Sequence, residues 1–200
     1  MVAPSGDASN SLTRTSLRDH LNDVPARPTF SDALEHRAFI KSHLAQAYRI
    51  FGGCIYGYDA GLAGHMTYLS CQDQNHNIHH LPQNVHFKLV QPELLLLVDH
   101  EGKIQDKESG PIRSLNRSAN MIHSAIHEAR PDVICSAHSH TAYGKAFSTL
   151  GVLLDPINQD SCAFYEDRVL FSEFHGAVDD REEGHAVVCG QLETDFKYPQ

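Results

Sequence analysis

The stretch that decides the fold is residues 114–151, SLNRSANMIHSAIHEARPDVICSAHSHTAYGKAFSTLG. Its first part carries apolar residues at alternating steps of four and three, the spacing of one face of a helix. These residues are Leu115, Ala119, Ile122, Ile126 and Ala129. Ser114 precedes them as a candidate cap and Pro131 lies beyond their end, so we predict a helix that packs through this apolar stripe. A strand opening at Val133 and a short helix ending before Gly151 complete the stretch.

His138 and His140 lie where the predicted strand ends. Side chains two apart on a strand share a face, and their Cα atoms are separated by about 7 Å at a rise of roughly 3.3 Å per residue. Two neutral imidazoles can then bind one cation at about 2.0–2.1 Å each. The spacing alone leaves two interpretations open, a pair of metal ligands or the polar end of a strand.

Other histidines have simpler interpretations. His123 and His127 are four apart on the predicted helix and could share an ion, but Glu128 does not sit where an H-E-x-x-H site places its glutamate. Packing beside the apolar stripe therefore explains this pair better. The remaining candidates are interpreted as solvent-exposed, in a polar loop or on a solvated helix face; they are His76, His79, His80, Glu182, Glu183 and His185.

The rest of the chain suggests one domain, because 200 residues can bury a core without cross-links. Residues 1–28 are polar and are predicted to be a flexible tail, with a single domain over residues 29–200. Residues 29–53 predict a helix with a capping box at Thr29 and Asp32 and a stop at Gly52. The further expected elements are a hairpin in 54–70, a loop in 71–85, a strand at 94–98, a turn at 99–102, strands up to about residue 172 and a weak helix at about 179–190.

Composition excludes several classes of partner. The formal charge is −9 and basic residues do not cluster, so neither nucleic acid nor an anionic membrane is expected to bind. The longest aliphatic run, Leu94 to Val98, is far shorter than the roughly 20 residues that span a bilayer. Five separated cysteines without a C-x-x-C pair are typical of a reducing compartment, which predicts a cytoplasmic protein.

Several segments in the same order resemble the class II aldolase/adducin family, and especially its stand-alone adducin-type members, several of which occur in fungal metabolism. They are GLAGHMTYLS, LLLLVDHEGKI, HEARPDV and AHSHTAYGKAFSTLG, and the likeness covers about residues 32–190. The resemblance implies an α/β fold of three α/β/α layers around a central, mostly antiparallel sheet. It also implies a homo-oligomer, often a tetramer, and gives His138 and His140 the role of ligands to a divalent metal, usually zinc.

The chain departs from the family pattern at two places. By the resemblance, Ala119 stands where the aldolases carry an acidic residue as general acid/base. The family's third metal-binding histidine follows the last helix of the common core, and the segment QLETDFKYPQ at 191–200 has no such element. His65 is the first candidate for another ligand and His175 a weaker one. Alternatively the histidines serve without a metal as proton-transfer groups, for which an ordinary pKa near 6.5 is suitable.

Three functions follow from these observations. The first is an aldolase-like enzyme that acts on a small oxygenated metabolite through an enolate, as a lyase, decarboxylase or isomerase, with a place in secondary metabolism. His138, His140 and His65 are its expected catalytic residues, and His138 and His140 its expected metal ligands. The alternatives are a metal-free cyclase or isomerase derived from the same fold and a non-catalytic interaction module of the adducin kind.

Overall fold

The computed structural model describes residues 28–53, 57–58, 64–70, 77–165 and 168–170. The helices are α1 (Ala33–Phe51), α2 (Arg117–Ala129), α3 (Ala142–Ser148) and α4 (Gln159–Cys162). The strands are β1 (Gly64–Leu69), β2 (Ile78–His80), β3 (Leu96–Val98) and β4 (Cys135–Ser139), with single 3-10 turns at Phe87–Leu89 and Pro92–Leu94. The chain divides into two units, 1–31 and 32–200, and all of these elements belong to the second. The predicted weak helix at 179–190, with His175, His185 and the two glutamates, lies outside the described residues, as does His76.

The four strands form one antiparallel sheet in the order β3-β2-β1-β4. The sequence predicted that β1 would pair within a hairpin over residues 54–70. Instead, the described residues of this segment form only β1, which pairs with β2 and β4 later in the chain. The prediction of a polar loop over 71–85 is wrong at Ile78–His80, because these residues form β2 inside the sheet. His79 and His80 are consequently buried, which corrects their interpretation as surface residues.

Side chains alternate between the two faces of the sheet, and each face has its own core. On one face, Met66 of β1 packs with Leu44 and Tyr48 of α1. On the other, Leu69, Ile78, Leu96 and Val98 form a second cluster. The helices and the antiparallel sheet confirm the predicted α/β class.

Gly64, at the start of β1, allows the close approach of β1 and β4. Its φ is +107°, a conformation that residues with a side chain rarely adopt. A Cβ at this position would lie 2.9 Å from the carbonyl oxygen of His138 and 3.2 Å from the ring of Phe87. Glycine is therefore required where β1 meets the strand that carries the paired histidines.

Helix α1 agrees with the sequence except at its first residue. Asp32 rather than Thr29 is the N-cap, and its carboxylate accepts hydrogen bonds from the backbone N–H groups of Leu34 and Glu35. Tyr48 on this helix is fully buried. Its hydroxyl donates to the carbonyl of Met66 at 2.6 Å and accepts from the N–H of Met66 at 2.7 Å. A side chain thus satisfies two backbone groups of β1.

We expect Tyr48→Phe to lower the free energy of unfolding by about 2 kcal/mol or more, because each buried polar group left without a partner costs about 1–3 kcal/mol. Urea denaturation followed by circular dichroism measures the change. Tyr143→Phe is the matched control, since Tyr143 is 89% exposed. Equal stability of the two variants would contradict the assignment.

Helix α2 forms where the sequence predicts it but packs through a different face. Its N-cap is Asn116 rather than Ser114. The buried positions are Ala119, Asn120, His123, Ser124, Ala125 and His127. Ile122 and Ile126 of the expected stripe are only partly buried and Ala129 is exposed. The predicted stripe is therefore confirmed at Ala119, which is buried, and at Leu115, which packs against the second core cluster, but not at its other residues. The rest of the buried face is mostly polar and meets polar side chains of the sheet.

The remaining expectations are partly met. The strand expected at 94–98 begins only at Leu96, after the 3-10 turn. The turn at 99–102 is confirmed by a hydrogen bond of 2.9 Å from the N–H of Gly102 to the carbonyl of Asp99. Helix α3 is confirmed, but the described residues between 151 and 170 contain α4 and no strand. No helix in the described part of the chain is long and apolar enough to cross a membrane.

Candidate active site

The predicted histidine pair and His65 lie together where β1 meets β4. His65 and His138 are directly opposed in the antiparallel register. Their ring centroids are 5.5 Å apart, and those of His138 and His140 are 4.7 Å apart. Three imidazoles predicted from the sequence therefore come within reach of one small molecule.

Behind this group lies a second set of histidines that the sequence analysis did not assign to a site. The ring of His123 on α2 lies 6.1 Å from that of His65 and 5.9 Å from that of His80 on β2. Both His80 and His123 are 1% exposed. We call His65, His80, His123 and His127 with Thr67 the buried histidine cluster. It fills the space between α2 and the sheet that apolar side chains were expected to fill.

Hydrogen bonds join three members of the cluster into a chain. Thr67 Oγ1 lies 2.7 Å from His123 Nδ1 and 3.0 Å from His127 Nε2. His127 Nδ1 in turn lies 2.8 Å from the carbonyl oxygen of Val133, in the turn before β4. Strand β1, helix α2 and the start of β4 are tied together by these contacts.

Asn116 holds His65 from the other side. Its Nδ2 lies 3.1 Å from Nε2 of His65, while its Oδ1 caps α2 by accepting from the N–H of Ala119 at 3.0 Å. The other ring nitrogen of His65, Nδ1, is buried and has no hydrogen-bonding partner within the described ranges. The same is true of Nε2 in His80 and in His123. Buried polar atoms without partners are rare in proteins and often mark functional sites.

Burial keeps these imidazoles neutral near pH 7. Desolvation, with the nearby His138 and His140, lowers the pKa of His65 to about 4. Desolvation likewise lowers the pKa of His80 to about 3 and that of His123 well below its usual value. The pKa of His138 is lowered by desolvation and then by His140. A neutral imidazole keeps a lone pair, which both metal binding and proton transfer require.

The residues present fit a divalent cation only in part. His138 and His140 are imidazole nitrogen donors with ring centroids 4.7 Å apart, the donor type that zinc prefers. However, no group of three His, Cys, Asp or Glu side chains in the described part of the chain is arranged to hold a metal ion. The lone pair of His65 Nε2 is already engaged by Asn116, so coordination through that atom would break a hydrogen bond.

Ala119, which the resemblance placed at the position of the family's acidic residue, lies in the first turn of α2 and is 1% exposed. After desolvation, the groups that lower the pKa of His65 are His138 and His140, and those that lower the pKa of His123 are other histidines. The chemistry of this site is therefore that of imidazoles. The sequence signal for the missed residues was the polar arc Asn120, His123, Ser124 and His127, which repeats at helical spacing on α2.

Comparison with known proteins identifies the family. Residues 42–191 match the family described as Class II Aldolase and Adducin N-terminal domain. The chain belongs to the class II aldolase and adducin family. This member of the family is 36% identical over 167 residues to the Meiotically up-regulated gene 14 protein of Schizosaccharomyces pombe, a match that covers 84% of this chain and 63% of the relative. It is 37% identical over 162 residues to Decarboxylase NovR of Streptomyces niveus, covering 80% of this chain and 57% of that protein.

The fold of this family member has a solved counterpart. The structure titled L-fuculose 1-phosphate aldolase from Glaciozyma antarctica PI12 superposes with a TM-score of 0.68 at 39% identity, and the match covers 77% of this chain and 61% of that one. The resemblance drawn from the sequence motifs is thereby confirmed, together with the class II aldolase fold. The chain spans between 57% and 63% of the length of these three proteins.

Proposed function

We propose that this chain acts as a lyase of the class II aldolase type, and specifically that it decarboxylates or cleaves a small oxygenated metabolite through an enolate. The observation that carries the proposal is the group of three imidazoles, His65, His138 and His140, at the junction of β1 and β4. The relative named Decarboxylase NovR supports a carboxylate-bearing substrate and a role in secondary metabolism.

His138 and His140 are the proposed ligands of a divalent cation, with zinc as the first choice because both donors are imidazole nitrogens. When bound, such an ion polarises a substrate carbonyl as a Lewis acid. Catalytic zinc as a rule keeps three protein ligands, and no third donor completes this pair in the part of the chain that the structure describes.

The protein's own groups have defined tasks in this reaction. In the decarboxylation of a 3-oxo acid the bond between C2 and the carboxylate carbon breaks, CO2 leaves, and the electron pair forms an enolate whose negative charge lies on the oxygen of the C3 carbonyl. His65, which burial keeps neutral, lies beside His138 where the substrate would bind. An imidazole that has taken up a proton from solvent then transfers it to the enolate carbon and returns to its neutral form, a task that we give to histidine because Ala119 stands where the resemblance places the family's acidic residue.

The test is a panel of 3-oxo acids, β-hydroxy ketones and sugar phosphates incubated with the purified chain, with CO2 release and aldehyde formation measured. Turnover of any panel member that depends on His138 and His140 supports the proposal. A stable complex with a protein partner and no turnover across the panel would instead favour the non-catalytic interaction module.

A metal-free cyclase or isomerase is the second candidate, because the described residues offer two donors and not three. In that case the histidines act as proton-transfer groups. Activity that survives EDTA would favour this candidate, whereas loss in EDTA with rescue by Zn2+ would favour the lyase with its cation. His43, an exposed residue of α1, provides the control variant for metal analysis.

We also propose that the chain forms a homo-oligomer around its small-molecule site. β4 is an edge strand of the described sheet and four of its five residues are exposed. Large apolar side chains are exposed in the segment that follows β4; they are Tyr143, Leu150, Val152, Leu153, Leu154, Ile157, Phe164, Tyr165, Val169 and Leu170. Exposed edges and apolar patches of this kind are typical of surfaces covered by association. Mass in solution by light scattering tests it.

A further inference from the structure

The orientation of the Asn116 amide is fixed by the helix that it caps. Its Oδ1 accepts from the N–H of Ala119, and a backbone N–H can only donate, so the oxygen and nitrogen of this amide cannot be exchanged. The nitrogen therefore faces Nε2 of His65 at 3.1 Å. Because an amide NH2 only donates, Nε2 of His65 must accept and cannot itself carry a proton.

This hydrogen bond places the proton of His65. A neutral imidazole carries one proton, on one of its two nitrogens. With Nε2 accepting, the proton lies on Nδ1, which is buried and has no partner among the residues that the structure describes. His65 thus directs an N–H donor, not a lone pair, into the cluster.

The hydrogen bonds that run from Val133 through His127 and Thr67 to His123 have the opposite polarity and end in an acceptor. A carbonyl only accepts, so His127 Nδ1 carries the proton and His127 Nε2 accepts from the Thr67 hydroxyl. That hydroxyl has one proton to give, so it accepts from Nδ1–H of His123 at 2.7 Å. Nε2 of His123 is then a bare acceptor, buried and without a described partner.

Two hydrogen-bond chains of opposite polarity therefore end in the same buried cluster. One ends in the N–H of His65 and the other in the lone pair of His123. The two rings stand nearly perpendicular, at 86°, with centroids 6.1 Å apart. Hydrogen bonds made by the polar face of α2 therefore determine which ring nitrogens of His123 and His127 carry protons.

We propose that Asn116 is a positioning residue that holds His65 in its Nδ1–H tautomer, so that His65 directs a hydrogen-bond donor into the buried histidine cluster and is withheld from the cation as a ligand. This deepens the proposed function and rests on it for the exclusion of His65 from the ligands of the proposed cation. The assignment of the proton itself rests on hydrogen-bond geometry alone.

Two substitutions at one position separate the tautomer effect from helix capping. Asn116→Asp keeps a capping oxygen but offers His65 a carboxylate, which accepts where the amide donated. Asn116→Ser also caps a helix but is too short to reach the ring. Long-range proton–nitrogen correlation spectra of histidine-labelled protein report which ring nitrogen is protonated, and His65→Gln assigns the signal.

In the wild-type chain we expect the His65 proton on Nδ1, in Asn116→Asp on Nε2, and in Asn116→Ser a mixture of both. Turnover should fall by about 10–100-fold in both variants, the usual effect of losing a group that orients an active-site histidine. A wild-type proton on Nε2, or an unchanged pattern in Asn116→Asp, would overturn the inference.

The two proposals fail separately, because the tautomer is measured without substrate or cation. Absence of turnover in the wild-type chain would remove the proposed reaction and leave the tautomer result standing. Conversely, an active chain whose His65 pattern does not respond to Asn116→Asp would keep the lyase and remove the positioning role.

Discussion

Replacement of both His138 and His140 by alanine is expected to remove bound divalent cation and to lower turnover by about 10³-fold or more. The physical reason is that the two imidazoles lie with ring centroids 4.7 Å apart at the end of β4, so they act as one donor pair. Loss of a single preorganised group in an active site already costs about 10²–10³ in rate. Metal content by mass spectrometry and initial rates with the best substrate of the panel measure the two effects.

The single variants sharpen this experiment. If the two histidines form one site, His138→Ala and His140→Ala should each cost nearly as much as the double change, because residues that act as a unit are strongly non-additive. His43→Ala should retain both activity and cation. Full activity in the double variant, with a circular dichroism spectrum like that of the wild type, would exclude this pair from the mechanism.

Acidification is expected to destabilise the chain from about pH 6.5 downward. The pKa of His80 is lowered by burial to about 3, against about 6.5 in an unfolded chain. Between these pH values the unfolded chain takes up a proton that the folded chain excludes. The free energy of unfolding therefore has its full value above about pH 6.5. Below that pH it falls by about 1.4 kcal/mol for each pH unit of acidification and for each such histidine. His65, with its pKa near 4, adds to the loss over the upper part of this range.

Urea denaturation measures this dependence at several pH values between about 7.5 and about 4, which cover most of the range in which the folded and unfolded chains differ in bound protons. His80→Gln keeps a polar side chain that does not titrate, so its stability should fall less steeply with acid, by about one proton's worth. His43→Gln, on the surface of α1, should keep the wild-type slope. Should His80→Gln fail to fold, the imidazole signals of the wild type decide the matter, because a His80 that titrates near pH 6.5 contradicts its burial.

The sequence predicted the helices α1, α2 and α3 and the strand that carries His138. Those predictions succeeded because they rest on local rules, such as helical spacing, caps and the two-residue period of a strand. Tyr48 and Leu44 could be placed in a core for the same reason, since α1 has an ordinary apolar face.

The buried histidine cluster could not be predicted in this way. A hydrophobic pattern assigns polar residues to solvent. It therefore predicted His80 in a surface loop, and it predicted that α2 packs through Ile122 and Ile126. What decides burial here is mutual hydrogen bonding between residues far apart in sequence, such as Thr67 with His123 and His127. Such partners become neighbours only through the register of β1 with β2 and β4.

The close approach at Gly64 limits how this site can change. The carbonyl oxygen of His138 lies 2.9 Å from the position that a Cβ on Gly64 would occupy, so a side chain at this position would push β1 and β4 apart. His65 and His138 are therefore presented at a fixed spacing whatever side chains occupy their positions. A change of chemistry at this site must therefore come from side-chain substitutions on an unchanged backbone. Engineering of the substrate range should likewise substitute side chains and leave the backbone of β1 and β4 as it is.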